Sequence, residues 1–151
     1  MHAMKGLDLS KAFFADVVRP ILPAGLPEIG ENYAAALLGW NSDVLGYDDE
    51  MSRDHEWGPR CYLFLPNSLQ KHTETIHKKL NTQGPQHFRG FPTRFASHPE
   101  DSTVRVPTEE PSGRVHVEIT TYDQYLSANL GTITPANDLE WLTIPENRLL
   151  E

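Results

Sequence analysis

The apolar run "CYLFL" at residues 61–65 is followed almost at once by "SLQKHTETIHKKLNTQG", in which Leu69, Ile76 and Leu80 share one helical face and Gly84 sits just past the end. A short continuous apolar run is the pattern of a buried strand, and apolar residues three to four apart are the pattern of an amphipathic helix. Neither element can bury its apolar side alone, so the pair demands a layered fold of helix against sheet. "RVHVEITTY" adds a second strand, with Val115, Val117 and Ile119 on an apolar face and His116, Glu118 and Thr120 on a polar one. The expected class is α+β, a small mixed and twisted sheet flanked by helices.

Other segments are read from the same rules. Leu9, Phe13, Val17, Val18, Ile21 and Leu22 recur at helical spacing, with Asp8 or Ser10 to cap the start. Pro20 and the following "LPAGLP" predict a break there. "PEIGENYAAALLGW" fits either a helix or a buried strand and is read as a short helix feeding a strand at about 35–40. The region 85–113, with Phe88, Phe91 and Phe95 among Pro, Gly, Ser and Thr, reads as a long ordered loop with short extended pieces. "YDQYLSANLG" predicts a short helix closed by Gly131, and "NDLEWLTIPENRLLE" two more turns, the first capped by Asn137 and the second started by Pro145. That last pattern has no stop signal and leaves Leu142, Leu149 and Leu150 unpartnered, so the sequence reads as one domain cut short.

Charge narrows the partners. Thirteen Lys and Arg against 21 Asp and Glu give a net charge of -8, which disfavours nucleic acid and anionic membranes as partners. There is no run of about 18 apolar residues and no leader-like start, so a protein of the cytoplasm is expected. The single Cys61 lies within "CYLFL", where a small hydrophobe packs, and it has no second cysteine to bridge.

The residues before the first strand concentrate acid. "NSDVLGYDDEMSRDHEWGPR" holds six carboxylates, and like charges so close repel unless a cation or a proton joins them. Asp54 and Glu56 are two residues apart, so in extended backbone they project to the same side, and Glu118 is on the polar face of another strand. If the two strands are neighbours, the three carboxylates meet at one sheet edge. Such hard oxygen ligands suit Mg²⁺ or Mn²⁺, whereas His72 and His77 lack the spacing of a zinc pair. Asp48, Asp49 and Glu50 read as a solvated loop, and His55 either makes local hydrogen bonds or serves the site.

"GWNS", a gap, "DHE" and then a hydrophobic strand resemble the signature of the DNA polymerase beta-like nucleotidyltransferase superfamily. More narrowly, "NSDVLGYDDEMSRDHEWGPRCYLFL", "FRGFP", "VEITT" and "IPENRLLE" resemble the N-terminal half of a bacterial domain-of-unknown-function family of nucleotidyltransferase-like proteins. The resemblance implies a nucleotidyltransferase-like fold over residues 1–151, lacking a C-terminal helical domain. It implies Asp54 and Glu56 as paired metal ligands and Glu118 as the third acid, either general base or further ligand. It sets Ser42, with Gly39 and Asn41, at the phosphate-binding turn, Asn41 standing where the superfamily has Gly. Arg53 and Arg60 flank the acidic pair and would either neutralise triphosphate charge or form ion pairs with local acids.

The implied activity is transfer of a nucleotidyl group from a nucleoside triphosphate to a hydroxyl of a small-molecule or protein acceptor. A second expectation is a shortened, catalytically silent module that binds a helical partner or a second copy through the apolar face near the C-terminus. A third is an acidic domain whose carboxylates only solvate a loop.

Overall fold

The structure, a computed structural model, describes residues 4–24, 26–38, 42–45 and 56–130, and of Ser42 and Leu45 only the backbone. The first helical stretch is α1 (Gly6–Phe13), a wide π turn (Phe14–Val18) and α2 (Arg19–Ile21), which follow one another without interruption. The break expected at Pro20 does not occur. Proline removes one backbone donor and pushes its ring against the carbonyl four residues back. The wide turn just ahead of it, in which the Arg19 N–H donates to the Phe14 oxygen five residues back, displaces that carbonyl and lets the helix pass. Neither expected residue caps the start: Asp8 lies in the first turn, and buried Ser10 turns its hydroxyl to the Gly58 carbonyl at 3.3 Å.

Turns occupy residues 27–31 where a short helix was expected, because Gly30 adopts φ 47° and reverses the chain before a helix can propagate. Strand β1 (Ala34–Ala36) follows, then the four-residue α3 (Ser42–Leu45) and β2 (Cys61–Leu65). A 3₁₀ turn (Asn67–His72) leads into α4 (Thr73–Gln83), so the expected helix is present with its first turn tightened. The short extended pieces expected within 85–113 are β3 (His87–Phe88), β4 (Phe91–Pro92), β5 (Arg94–Ser97) and β6 (Arg105–Pro107), and they pair into sheets. The chain then runs through β7 (Arg114–Val115) and β8 (Val117–Thr121) into α5 (Tyr122–Leu130).

The class is α+β, with a mixed sheet as expected. In the first sheet, ordered β1-β2-β8, β1 is antiparallel to β2 and β2 is parallel to β8 with Cys61 opposite Val117 and Tyr62 opposite Glu118. A second, antiparallel sheet is ordered β6-β5-β7, and β3 and β4 form a hairpin. Phe13, Val18 and Leu22 from the first helical stretch and Ile76 and Leu80 from α4 enclose Cys61, Leu63, Leu65, Val115 and Val117 in one core. The other side of the first sheet carries Tyr62, Phe64 and Glu118, with Tyr125 of α5 edge-on to Tyr62 and Phe64 at ring centroid distances of 6.0 and 5.3 Å.

One residue joins the two sheets. The His116 N–H donates to the Thr93 carbonyl beside the second sheet, and its carbonyl accepts from the Cys61 N–H of the first, both at 3.2 Å. This switch turns the ring inward, so His116, expected on the polar face, is only 8% exposed and lies 4.3 Å from the Phe95 ring. Buried Arg94 clamps the same region: its guanidinium donates to the side chain of Gln86, to Asn81 and to the Gly113 carbonyl.

Gly58, just before β2, has φ 150°, and a Cβ there would stand 2.9 Å from Phe95 Cζ. Gly58→Ala therefore combines backbone strain with a core clash and should lower stability by about 2–3 kcal/mol in urea unfolding. An unchanged midpoint would show that this turn relaxes without cost.

Candidate functional site at the edge of the mixed sheet

The condition set by the sequence, that the strand after the acidic segment neighbours the strand of Glu118, is met by the β2–β8 pairing. Because paired residues project to the same face, Glu118 and Tyr62 stand side by side, the carboxylate half exposed. Burial raises the Tyr62 phenol above its ordinary range, and the negative charge of Glu118 raises it further, as does Tyr125, against the opposing effect of Arg60. Glu56 adds to the same rise, so the charges of two of the three expected carboxylates reach one phenol. Glu56 itself is partly buried, in a turn beside the buried Trp57.

Arg60 occupies the ion-pair alternative. Its Nη2 donates to Asp43 Oδ1 at 2.9 Å, its Nε to Oδ2 at 3.3 Å and its Nη1 to the Leu38 carbonyl at 3.3 Å. The guanidinium is 5% exposed and the Asp43 carboxylate 0%, so this fork ties α3 and the end of β1 to the residue before β2 and is turned away from any nucleotide in solvent. Ser42 opens α3, but its side chain lies outside the described atoms; Gly39, Asn41, Arg53 and Asp54 lie outside the described residues altogether. Among the described residues no group of three or more His, Cys, Asp or Glu side chains gathers at one point. The visible part of the expected ligand set is thus Glu56 and Glu118, both hard oxygen donors.

The other histidines and the cysteine have local explanations. His72 Nε2 lies 2.7 Å from Glu28 Oε2, and burial pushes the Cys61 thiol up to about 12, as suits a packing residue. His55 lies outside the described residues.

Among the described residues two concavities adjoin this edge, and neither was evident in the sequence. On the Tyr62 side of the sheet, Tyr33, Leu38, Phe64, Tyr122, Tyr125 and Leu126 line an open apolar groove of about 560 Å³. Around the seam between the sheets, His77, Arg105, Arg114, His116 and Glu118 line a polar cleft of about 60 Å³ whose apolar wall includes Phe95. Burial holds the His116 ring neutral, with a pKa lowered to about 3 and with Arg60 and Arg105 adding to the shift, and His116 Nδ1 has no hydrogen-bond partner. His77 is lowered likewise, by burial and by the charge of Arg114. The strand alternation could have linked Arg114, His116 and Glu118, but Arg105 and His77 arrive from separate elements and leave no local signal.

No described helix is long and apolar enough to cross a membrane. Compared with family models, with curated proteins and with solved structures, the chain matches none.

Proposed function

We propose that this chain transfers a nucleotidyl group from a nucleoside triphosphate to a hydroxyl of a small-molecule or protein acceptor, at the edge of the first sheet, in a reducing cytoplasm. The observation that supports this reading is the parallel β2–β8 pairing, which sets Glu118 beside Tyr62 while Glu56 acts on the same phenol. Asp54, Glu56 and Glu118 would hold Mg²⁺ or Mn²⁺, and when bound such a cation supplies charge neutralisation to the triphosphate. Ser42, with the turn at Gly39 and Asn41, and Arg53 would contact the phosphates. Arg60 acts one step removed, by fixing α3 and the start of β2 through Asp43.

In the reaction, Glu118 accepts the proton of the acceptor hydroxyl. The acceptor oxygen then bonds to the α-phosphorus as the bridge from α- to β-phosphate breaks, and pyrophosphate leaves in line with the attack. Calorimetric titration with Mn²⁺ followed by a panel of nucleoside triphosphates tests this. Saturable heat that is lost in Asp54→Asn is expected, with turnover of Glu118→Gln down by about 10²–10⁴-fold. Absence of heat at millimolar nucleotide in the presence of metal would sink the reading.

A second reading is favoured by the aromatic groove: a catalytically silent module of the same kind that seats a helical partner or a second copy there. It requires no turnover with any triphosphate, together with a complex that Tyr125→Ala weakens.

A further inference from the structure

We propose that the cleft at the seam between the two sheets binds a tetrahedral oxyanion, inorganic phosphate or the phosphate end of a small ligand, between the guanidinium groups of Arg105 and Arg114. The site needs no metal and does not depend on nucleotidyl transfer.

Three observations converge. The cleft has room for about 60 Å³, which at roughly 10–15 Å³ for each water corresponds to about five heavy atoms, the size of a phosphate ion. Two arginines from different strands, β6 and β7, open into it, and planar guanidinium groups pair with phosphate oxygens through parallel N–H bonds. Neither is strongly engaged elsewhere: among the described residues Arg105 makes no hydrogen bond or ion pair, and Arg114 only touches the 82% exposed Glu74 at 3.6 Å.

Every charged group facing the cleft enters the balance. Arg105 on β6 and Arg114 on β7 attract the anion; Glu118 on β8 and Glu74 on α4 oppose it. Both carboxylates are at least half exposed and so are screened by water and salt, whereas His116 and Phe95 wall the cleft with buried rings that keep the local dielectric low. His77 on α4 can add a donor once an anion offsets Arg114.

The test is an NMR titration of the His77 ring with inorganic phosphate, without metal, against sodium chloride of the same ionic strength. Phosphate should give a saturable shift and raise the pKa of His77 by about one unit, since it places negative charge beside the ring. Arg105→Gln and Arg114→Gln should each weaken phosphate binding about tenfold or more. Both arginines lie on the surface of short strands, and an unchanged amide spectrum away from the cleft would verify that each variant is folded. A parallel titration with glycerol 3-phosphate separates the two sources: tighter binding of the ester assigns a phosphomonoester, tighter binding of inorganic phosphate the free ion, and both support the proposal. Shifts equal to those in chloride, or affinities unaltered in both folded variants, would overturn it. Neither result depends on the metal and nucleotide experiment.

Discussion

Acidifying the protein from pH 6.5 to 4.5 should cost about 2 kcal/mol of folding stability through His116 alone. Well above pH 6.5 this ring is neutral in both the folded and the unfolded chain, so it contributes no pH dependence there. Below that value the unfolded chain takes up a proton that the buried ring refuses until about pH 3. Stability therefore falls by ~1.4 kcal/mol per pH unit across that window. Carboxylates titrate in the same range, so the measurement is a difference: urea unfolding of the protein and of His116→Phe at a series of pH values. The wild type should lose stability relative to the variant as pH falls from 6.5 towards 3. Replacing the ring also removes its unpartnered Nδ1, so the variant should not suffer from a lost hydrogen bond there. Parallel pH profiles would show that the folded protein admits a proton at His116, and the account of the seam as a closed junction would fall with them.

Cutting the Arg60–Asp43 fork should be comparably damaging at any pH where both are charged. Asp43→Ala leaves a guanidinium that is 5% exposed without its counter-ion, and a buried ion pair broken on one side costs about 3–5 kcal/mol. The double change Asp43→Ala with Arg60→Met should recover most of that loss, because no uncompensated charge remains. The comparison also separates two roles for Arg60. If it fixes the approach to β2, Arg60→Met lowers the unfolding midpoint and weakens nucleotide binding only in proportion to misfolding. Reduced nucleotide affinity with unchanged stability would instead assign Arg60 to the phosphates.

Long periodic segments were legible in the residues. "CYLFL" is β2, the Leu69, Ile76 and Leu80 stripe is the 3₁₀ turn and α4, and the alternation in "VEITT" is β8. What escaped is short or depends on partners distant in sequence. The second sheet and the β3–β4 hairpin are built from strands of two to four residues, too brief to display a period of two, among prolines and glycines that signal loop. Pro20 misleads because the remedy is a wide turn, which leaves no mark in composition.

Of the candidate site, the acidic residues were visible as a cluster, but their meeting depended on a strand order that local patterning leaves open. The β2–β8 pairing supplies that order for Glu118. Arg60 was ambiguous for an equally physical reason: an arginine beside acids can serve a ligand or a fold, and only the burial of Asp43 separates the two. The Arg105 and Arg114 cleft is a product of tertiary assembly, drawing on α4 and four strands.

The junction at His116 has one more implication. Since β7 and β8 are consecutive stretches of a single extended run, a slip of β7 by one position against β5 would drag β8 by one position against β2. Side chains alternate along a strand, so such a slip would exchange Val117 for Glu118 against the core and carry the carboxylate away from Tyr62. An insertion or deletion between Arg114 and Thr121 thus cannot be absorbed within one sheet; it is transmitted to both, and the alignment of the acidic edge is inherited from pairings made on the far side of the molecule.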